Sequence, residues 1–586
     1  MKFLRNLLAA ILGTLIAFGI LFAMFLIFLA LVGNADDTVA IKRGSVLEIT
    51  LNRPIYDYEG QDEADPFRGL FEVGAGLDEI LHAIAVAKND ENIRGISLNS
   101  GFLMAGMAQT QELRKALQDF KDAGKFVYSY ADYYTQKDYY LASVADKVYL
   151  HPQGAMDFKG LSTEILYFKE LQEKSGVKME VVRHGKYKSA VEPFLSDSMS
   201  DENREQIKEL ITSLWNVMIA DIGASRNLDT GDLNKIADTL GARLPEYAAQ
   251  TGLVDGVLYF DEYEAELKNE LALAEDDEVK YVRLPDYVKV AKRKKITTGK
   301  DKIALIYAQG EILYGEGDKD YMGQGLITRA LKKARENDRV KAVVLRVNSP
   351  GGNALTADII WREVELTRKV KPVVVSLGDV AASGGYYIGV AGNHIVAEPT
   401  TITGSIGVFG TIPNINELAD DIGINAEQVG TNANSVDYSL FEPMSDGFRK
   451  VIEESIENTY QTFLSRVADG RGMSRAAVDS IAQGRVWSGV EAQRLGLVDD
   501  LGGLDVAIEK AAELAEIDTY GLLKYPRYKS DFERLMSDLN GIKMDIGRAV
   551  LKEEIGEDAY QILHDLKQLT QQEGIQARVP FTLNIK

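Results

Sequence analysis

The chain carries one α/β unit twice, and this repeat limits its fold more than any other feature. The segment ENIRGISLNS at 91–100 aligns with DRVKAVVLRV at 338–347, setting Ile93 over Val340 and Leu98 over Leu345. The same offset lays AIAVAKND over ALKKAREN, Tyr139-Tyr140 over Tyr386-Tyr387, Pro152 over Pro399 and Gly160 over Gly407, with no gap. Further on, TGLVDG at 251–256 echoes LGLVDD at 495–500 after a small drift in register. Within each copy, β-rich runs such as KAVVLRV and KPVVVSLG alternate with helical stretches, the rhythm of an α/β fold with buried strands. Between about 265 and 300 the chain turns highly charged (NELALAEDDEV, VAKRKK) and reads as a connector. After residue 520 an amphipathic, helical tail is predicted. The predicted organisation is an anchor at 1–36, a first α/β domain at 37–290, a second at 291–520, and the tail at 521–586.

The anchor is read from the N-terminus. From Leu7 to Val32 the sequence is uncharged and overwhelmingly apolar, long enough to cross a hydrocarbon core of about 30 Å as a helix. Lys2 and Arg5 precede it and Asp36 and Asp37 follow, so the positive-inside bias keeps the N-terminus cytoplasmic and exports the rest. A cleavable signal peptide has a shorter apolar region and ends in small residues of the A-x-A kind. This run ends LALVGNADD, and an uncleaved single-pass anchor is predicted.

Composition removes several chemistries. A net charge of −22 opposes binding to a phosphate backbone, so no nucleic-acid partner is expected. With no cysteine there is no disulfide, thiolate nucleophile or cysteine-held zinc. The five histidines form no HExxH pair. No metal or cofactor is expected.

Comparing the copies position by position localises the chemistry. In the second copy, KAVVLRV runs into Asn348-Ser349-Pro350-Gly351-Gly352, and VVVSLG runs into Asp379-Val380-Ala381-Ala382-Ser383-Gly384-Gly385-Tyr386-Tyr387. Both read as strand-to-helix turns, where free backbone N–H groups favour developing negative charge. A serine on one such turn, with glycine amides on its neighbour, supplies a nucleophile and an oxyanion hole. In the first copy Gln136 stands at the position of Ser383, Lys137 and Asp138 replace the two glycines after it, and Met104 and Ala105 replace Gly351 and Gly352. That copy instead contains Gly185-Lys186-Tyr187-Lys188-Ser189-Ala190, and its register partner around Thr431 to Ser435 has no lysine. Taken singly, SGG is most often a flexible turn, KYK a solvated strand edge, and NSPGG a helix-starting turn. The reciprocal loss favours one site shared by both halves.

These three motifs, NSPGG, DVAASGGYY and GKYKSAVEPF, resemble those of the signal peptide peptidase A (protease IV) family in its long, duplicated form. The resemblance runs from the anchor to past residue 500. It implies two tandem domains of the Clp-protease and crotonase type, a serine nucleophile at Ser383 and a lysine base at Lys188. It also implies that Ser405, within ITGSIG, hydrogen-bonds the lysine, and that oxyanion amides come from Gly384 and the Gly351-Gly352 turn. The expected activity is degradation of signal-peptide remnants and other apolar or unfolded peptides. The implied setting is the outer face of a bacterial inner membrane, in a homo-oligomer with a tetramer favoured.

A lysine accepts a proton only when neutral, so its pKa of about 10.4 must fall by about 3 units, or about 4 kcal/mol. Burial in an apolar cleft can do this, and serine–lysine pairs are a known variant of the triad. Lys186 is a rival base, because residues two apart in an extended segment face the same side. His394 has Lys147 as its register mate and no motif around it, and is read as structural. Two other functions share parts of this pattern: an acyl-coenzyme A enzyme using the same oxyanion hole, and a non-catalytic membrane scaffold. Neither requires Ser383.

Overall fold

The apolar runs of both copies become inner strands of two sheets, the first parallel and the second parallel but for Val486–Ser488, which pairs antiparallel with Ile402–Gly404. The computed structural model describes residues 2–33, 40–60, 74–99, 101–294, 299–432, 434–435, 438–528 and 576–578. In the first sheet the order is Gly256–Val257, Lys147–Met156, Phe126–Tyr134, Ile93–Asn99, Ser45–Ile49, Tyr281–Arg283, all parallel. The second repeats that order with Asp500–Leu501, His394–Ala397, Val373–Ala382, Val340–Ser349, Asp301–Gln309 and Tyr520–Tyr525. Val340, Val343, Val344 and Leu345 are fully buried, as are Val373, Val374 and Val375. Strands covered on both faces explain why these runs are continuously apolar rather than alternating.

The predicted connector is more ordered than its charge suggests. Residues 281–291 form the edge strand Tyr281–Arg283 and the helix Leu284–Ala291. Leu284, Tyr287, Val288 and Ala291 are buried in the first core, while the charged residues between them face out. Charge here marks the solvated face of an amphipathic helix. At the other end, Tyr520–Tyr525 belongs to the second sheet, pairing with Asp301–Gln309. The helix expected in the tail falls largely on 529–575, outside the described residues.

A third, smaller sheet joins the halves. Its order is Tyr321–Gly323, Glu311–Leu313, Gly351–Asn353, Gln576–Arg578, Val408–Asn414, Lys178–His184. The last strand comes from the first copy and pairs antiparallel with Val408–Asn414 of the second, from Val408 opposite His184 to Asn414 opposite Lys178. This ladder brings the GKYKSA motif against the serine-bearing half.

Residues Lys2–Gly33 form one helix, and Leu12, Leu15, Phe18, Leu21 and Phe22 are exposed on it. Among the described residues no helix is long and apolar enough to cross a membrane. The continuous stretch of this helix whose side chains are described, 9–24, is about 24 Å long.

Candidate active site

Ser383 stands where strand Val373–Ala382 stops and helix Gly384–Gly389 starts. Its backbone takes φ 55°, ψ −118°, a conformation that side-chain-bearing residues adopt at a cost of about 1–3 kcal/mol. The turn is held from both sides: the Ser383 N–H donates to the Gly404 carbonyl at 2.8 Å, and its own carbonyl accepts from the Tyr387 N–H at 2.8 Å. This turn sets the Ser383 hydroxyl 2.9 Å from Lys188 Nζ.

Lys188 arrives from the first half. Strand Lys178–His184 ends before the motif, so residues 185–188 form a turn and not the extended segment the spacing suggested. Lys186 is exposed, its ammonium 4.8 Å from the centre of the Tyr187 ring. Lys188 is fully buried. The turn is pinned to the second half: the Tyr187 N–H donates to the Gln483 carbonyl at 2.9 Å, and a Cβ on Gly484 would lie 2.6 Å from the Lys188 nitrogen and Cβ. From behind, Gln206 donates to the Tyr187 carbonyl at 3.0 Å and to the Ser189 hydroxyl at 2.8 Å.

The Lys188 Nζ has three partners: Ser383 Oγ at 2.9 Å, Ser405 Oγ at 3.0 Å and the Ser405 carbonyl at 3.1 Å. The Phe409 ring centre is 5.9 Å away. Burial alone pushes the Lys188 pKa well below the ordinary lysine value, because a charged form taken out of water with no counter-ion is disfavoured. A neutral amine has two N–H donors and one lone pair. Two N–H donations to the two Ser405 oxygens leave the lone pair to accept the Ser383 hydroxyl proton. Ser405 is itself fully buried and held at φ 50°.

Glycines form the far wall. Gly351 and Gly352 have φ of 97° and 150°, and Gly384 opens the helix after Ser383. A Cβ on Gly351 would lie 2.9 Å from the Gly384 nitrogen, so the two turns meet at a notch only glycine leaves open. The Gly351 N–H donates to Ser349 Oγ at 3.2 Å. The first N–H groups of a helix have no intrahelical partner, which leaves the Gly384 amide available to an oxygen in the notch.

In the first copy the same positions are sealed. The Gln136 side chain accepts from the Lys159 and Gly160 N–H groups at 2.9 Å each and donates to the Gly160 carbonyl at 2.9 Å. Lys137 donates to the Ala105 carbonyl at 2.5 Å, and Asp138 accepts from the Leu103 N–H at 2.8 Å. His394 lies 2.7 Å from Asp500 at the end of its strand.

Sequence reasoning missed the supports Gln206, Gln483 and Gly484. The only signal of Gln483 and Gly484 is a Gln-Gly turn after a helical stretch, Gln206 lies inside the helix Asp201–Arg226, and nothing in either points to a lysine turn. It also missed residues 576–578, which run beside the glycine notch.

The profile of peptidase family S49 matches residues 119–274 and 365–518, one match in each copy. "Protease 4" of Salmonella typhi is 36% identical over 557 residues, covering 91% of this chain and 89% of the relative. "Protease 4" of Haemophilus influenzae is 38% identical, covering 74% and 72%, and "Serine protease SPPA, chloroplastic" of Arabidopsis thaliana is 32% identical, covering 92% and 78%. Among solved structures, a mutant of the 1510-N membrane-bound stomatin-specific protease in complex with a substrate peptide matches 42% of this chain and 100% of its own at 14% identity and TM-score 0.26. ClpP1 from Listeria monocytogenes matches 34% and 91% at 16% identity and TM-score 0.22; scores this low add nothing to the assignment. The doubled profile and the near full-length relatives carry it: this chain belongs to peptidase family S49 and is a serine peptidase.

Proposed function

We propose that the chain is a membrane-anchored endopeptidase in which Ser383 is the nucleophile and Lys188 the general base. The observation that carries this is the 2.9 Å approach of a buried amine to a strained serine hydroxyl. Ser383 Oγ attacks the substrate carbonyl carbon while its proton passes to Lys188 Nζ. Ser405 holds the amine so that its lone pair faces Ser383. The Gly384 amide, with the Gly351-Gly352 turn, receives the oxyanion. Collapse breaks the C–N bond as Lys188 returns the proton to the leaving amine, and a water then releases the acyl group with Lys188 again as base.

The substrates proposed are signal-peptide remnants and other apolar or unfolded peptides. The apolar N-terminal helix, with Leu12, Leu15 and Phe18 exposed, supports a single-pass anchor that holds the site near a bilayer. The proposed orientation keeps the N-terminus cytoplasmic and both domains, of the Clp-protease and crotonase type, outside the bacterial inner membrane. Assembly into a homo-oligomer, a tetramer by preference, is part of this reading.

A fluorophosphonate probe tests the nucleophile. Labelling is expected at Ser383 in the full chain, and both labelling and peptide hydrolysis are expected to vanish in Ser383→Ala. A Ser383→Ala variant that still hydrolyses peptides overturns the assignment.

A further inference from the structure

Three consecutive residues of the second half, 483–485, bond through their backbone to both the lysine turn and the segment that carries Ser405. The Gln483 carbonyl accepts from the Tyr187 N–H at 2.9 Å, and the Gly484 N–H donates to the Ile406 carbonyl at 2.8 Å. The Arg485 carbonyl accepts from the Ser405 N–H at 2.6 Å. Lys188 Nζ in turn meets both oxygens of Ser405. One short run of main chain thus sets the amine and the serine that orients it, and any side chain that holds this run also holds the direction of the amine.

Arg485 has such a side chain. Its guanidinium lies between two rings, with the central carbon 4.8 Å from the centre of Tyr187 and 4.5 Å from that of Trp487. Nη1 donates to the Tyr187 hydroxyl at 3.2 Å and to Glu205 at 3.1 Å, and Nη2 donates to Glu209. Tyr187 is the residue before Lys188. Glu205 and Glu209 stand one turn apart on the helix Asp201–Arg226 of the first half, on either side of Gln206, which holds the Tyr187 carbonyl and the Ser189 hydroxyl. A planar fork can stack and bond at the same time, which an ammonium cannot. Both glutamates are 49% exposed while Arg485 is 13% exposed. Ion pairs with partners this exposed add little to stability, so the effect of the arrangement falls on position.

We propose that Arg485 is a positioning residue for the proton transfer: its guanidinium clamps the lysine turn against the segment that holds Ser405, and so sets the distance and direction from Lys188 Nζ to Ser383 Oγ. This role rests on Lys188 being the base of Ser383. Without the clamp the lysine turn drifts and water reaches the amine. A drift of about 1 Å costs about 10²-fold in rate, and hydration returns the amine toward ordinary lysine behaviour.

Two variants of the full chain test this. Arg485→Met keeps a stem between the rings and removes the fork; Glu205→Gln combined with Glu209→Gln neutralises the two anchors at half-exposed positions. The readouts are pH profiles of kcat and KM for an unfolded fluorogenic peptide, the rate of fluorophosphonate labelling at Ser383, and the unfolding temperature. Arg485→Met is expected to lower kcat and the labelling rate about 10²-fold at neutral pH with KM unchanged. Its rising pH limb is expected to move up by about one unit, so that part of the rate returns in alkaline buffer. The paired glutamine variant is expected to show the same changes at about a tenth of that size, at nearly the parent's unfolding temperature, and it decides alone if Arg485→Met does not fold. Full kcat on an unmoved limb overturns the proposal, whether or not the unfolding temperature falls. A lowered kcat on an unmoved limb also overturns it, because Lys188 is then undisturbed, as does a raised KM at full kcat, which makes Arg485 a substrate contact. A parent chain that does not label at Ser383, or labels at full rate in Lys188→Met, overturns the Lys188–Ser383 pair instead, and the clamp with it.

Discussion

At the scale of single residues, Lys188 carries the proposed chemistry because, among the described residues, no carboxylate pairs with its Nζ, whose hydrogen-bond partners belong to Ser383 and Ser405. A lysine paired with a carboxylate would stay protonated; this one is enclosed by Ser383, Ser405, Gly407, Phe409 and Gly484. Its folded pKa lies well below the ordinary value through burial, so the neutral, proton-accepting form is reached as pH rises through that lowered pKa. Hydrolysis is therefore expected to climb with pH along a limb well below pH 10, then level off. Lys188→Met, which fills the same space without an amine, is expected to lower kcat by about 10²–10⁴-fold. Lys186→Met, on the exposed side of the turn, is expected to leave the rate unchanged. A pH–rate profile with both variants checks this, and a full-rate Lys188→Met would refute it. Ser383, Lys188 and Ser405 were legible because each sits in a short motif. Spacing alone did not separate Lys186 from Lys188, because alternation applies to strands and residues 185–188 turn; the motif resemblance named Lys188.

At the scale of elements, the site depends on turns from distant segments meeting backbone to backbone. Gly484 has φ 82°, and a Cβ there would press on the Lys188 backbone and Cβ at 2.6 to 2.7 Å. Gly484→Ala therefore adds both a strained backbone, costing about 1–2 kcal/mol, and a push on the lysine turn. Displacement of a catalytic group by about 1 Å costs about 10²-fold in rate. The variant is expected to lose about that much kcat while urea unfolding shows only the smaller stability loss; equal kcat would contradict the argument. The parallel strands were legible because runs such as KAVVLRV are apolar at nearly every position, as strands covered on both faces must be. The sheet that joins the halves was not. Its strands are short and partly polar, and the pairing of His184 with Val408 is set by how the halves dock, which no local pattern records.

At the scale of the whole molecule, the halves are also joined by buried charge. Arg346 of the second half donates to Asp57 at 2.8 Å and to Glu112 at 2.5 Å, both from the first. Close by, Asp379 accepts from the Gln109 N–H at 3.0 Å, and Gly106 leaves room for its carboxyl. The duplication told that two halves exist, and the reciprocal loss of motifs told that they share a site. Neither told which charges would be buried between them, since Arg346 and Asp379 look like ordinary strand-end residues. Burial, with Asp57 adding to it, pushes the Asp379 carboxyl up to about 6. The folded chain then holds a proton that the unfolded chain releases between about pH 4 and pH 6, so this site contributes less stability as pH rises through that window. Asp379 also borders a cleft of about 290 Å³ lined by Asp57, Gln109 and Asn348 and is only partly buried, so solvent screening lessens the cost of the charge. The change is put at about 1–2 kcal/mol. Asp379→Asn keeps an acceptor for the Gln109 N–H and removes the titration. In urea unfolding, its stability relative to the parent chain is expected to rise by that amount between pH 4 and pH 7. A difference that stays constant over this range would mean that Asp379 does not titrate at the junction.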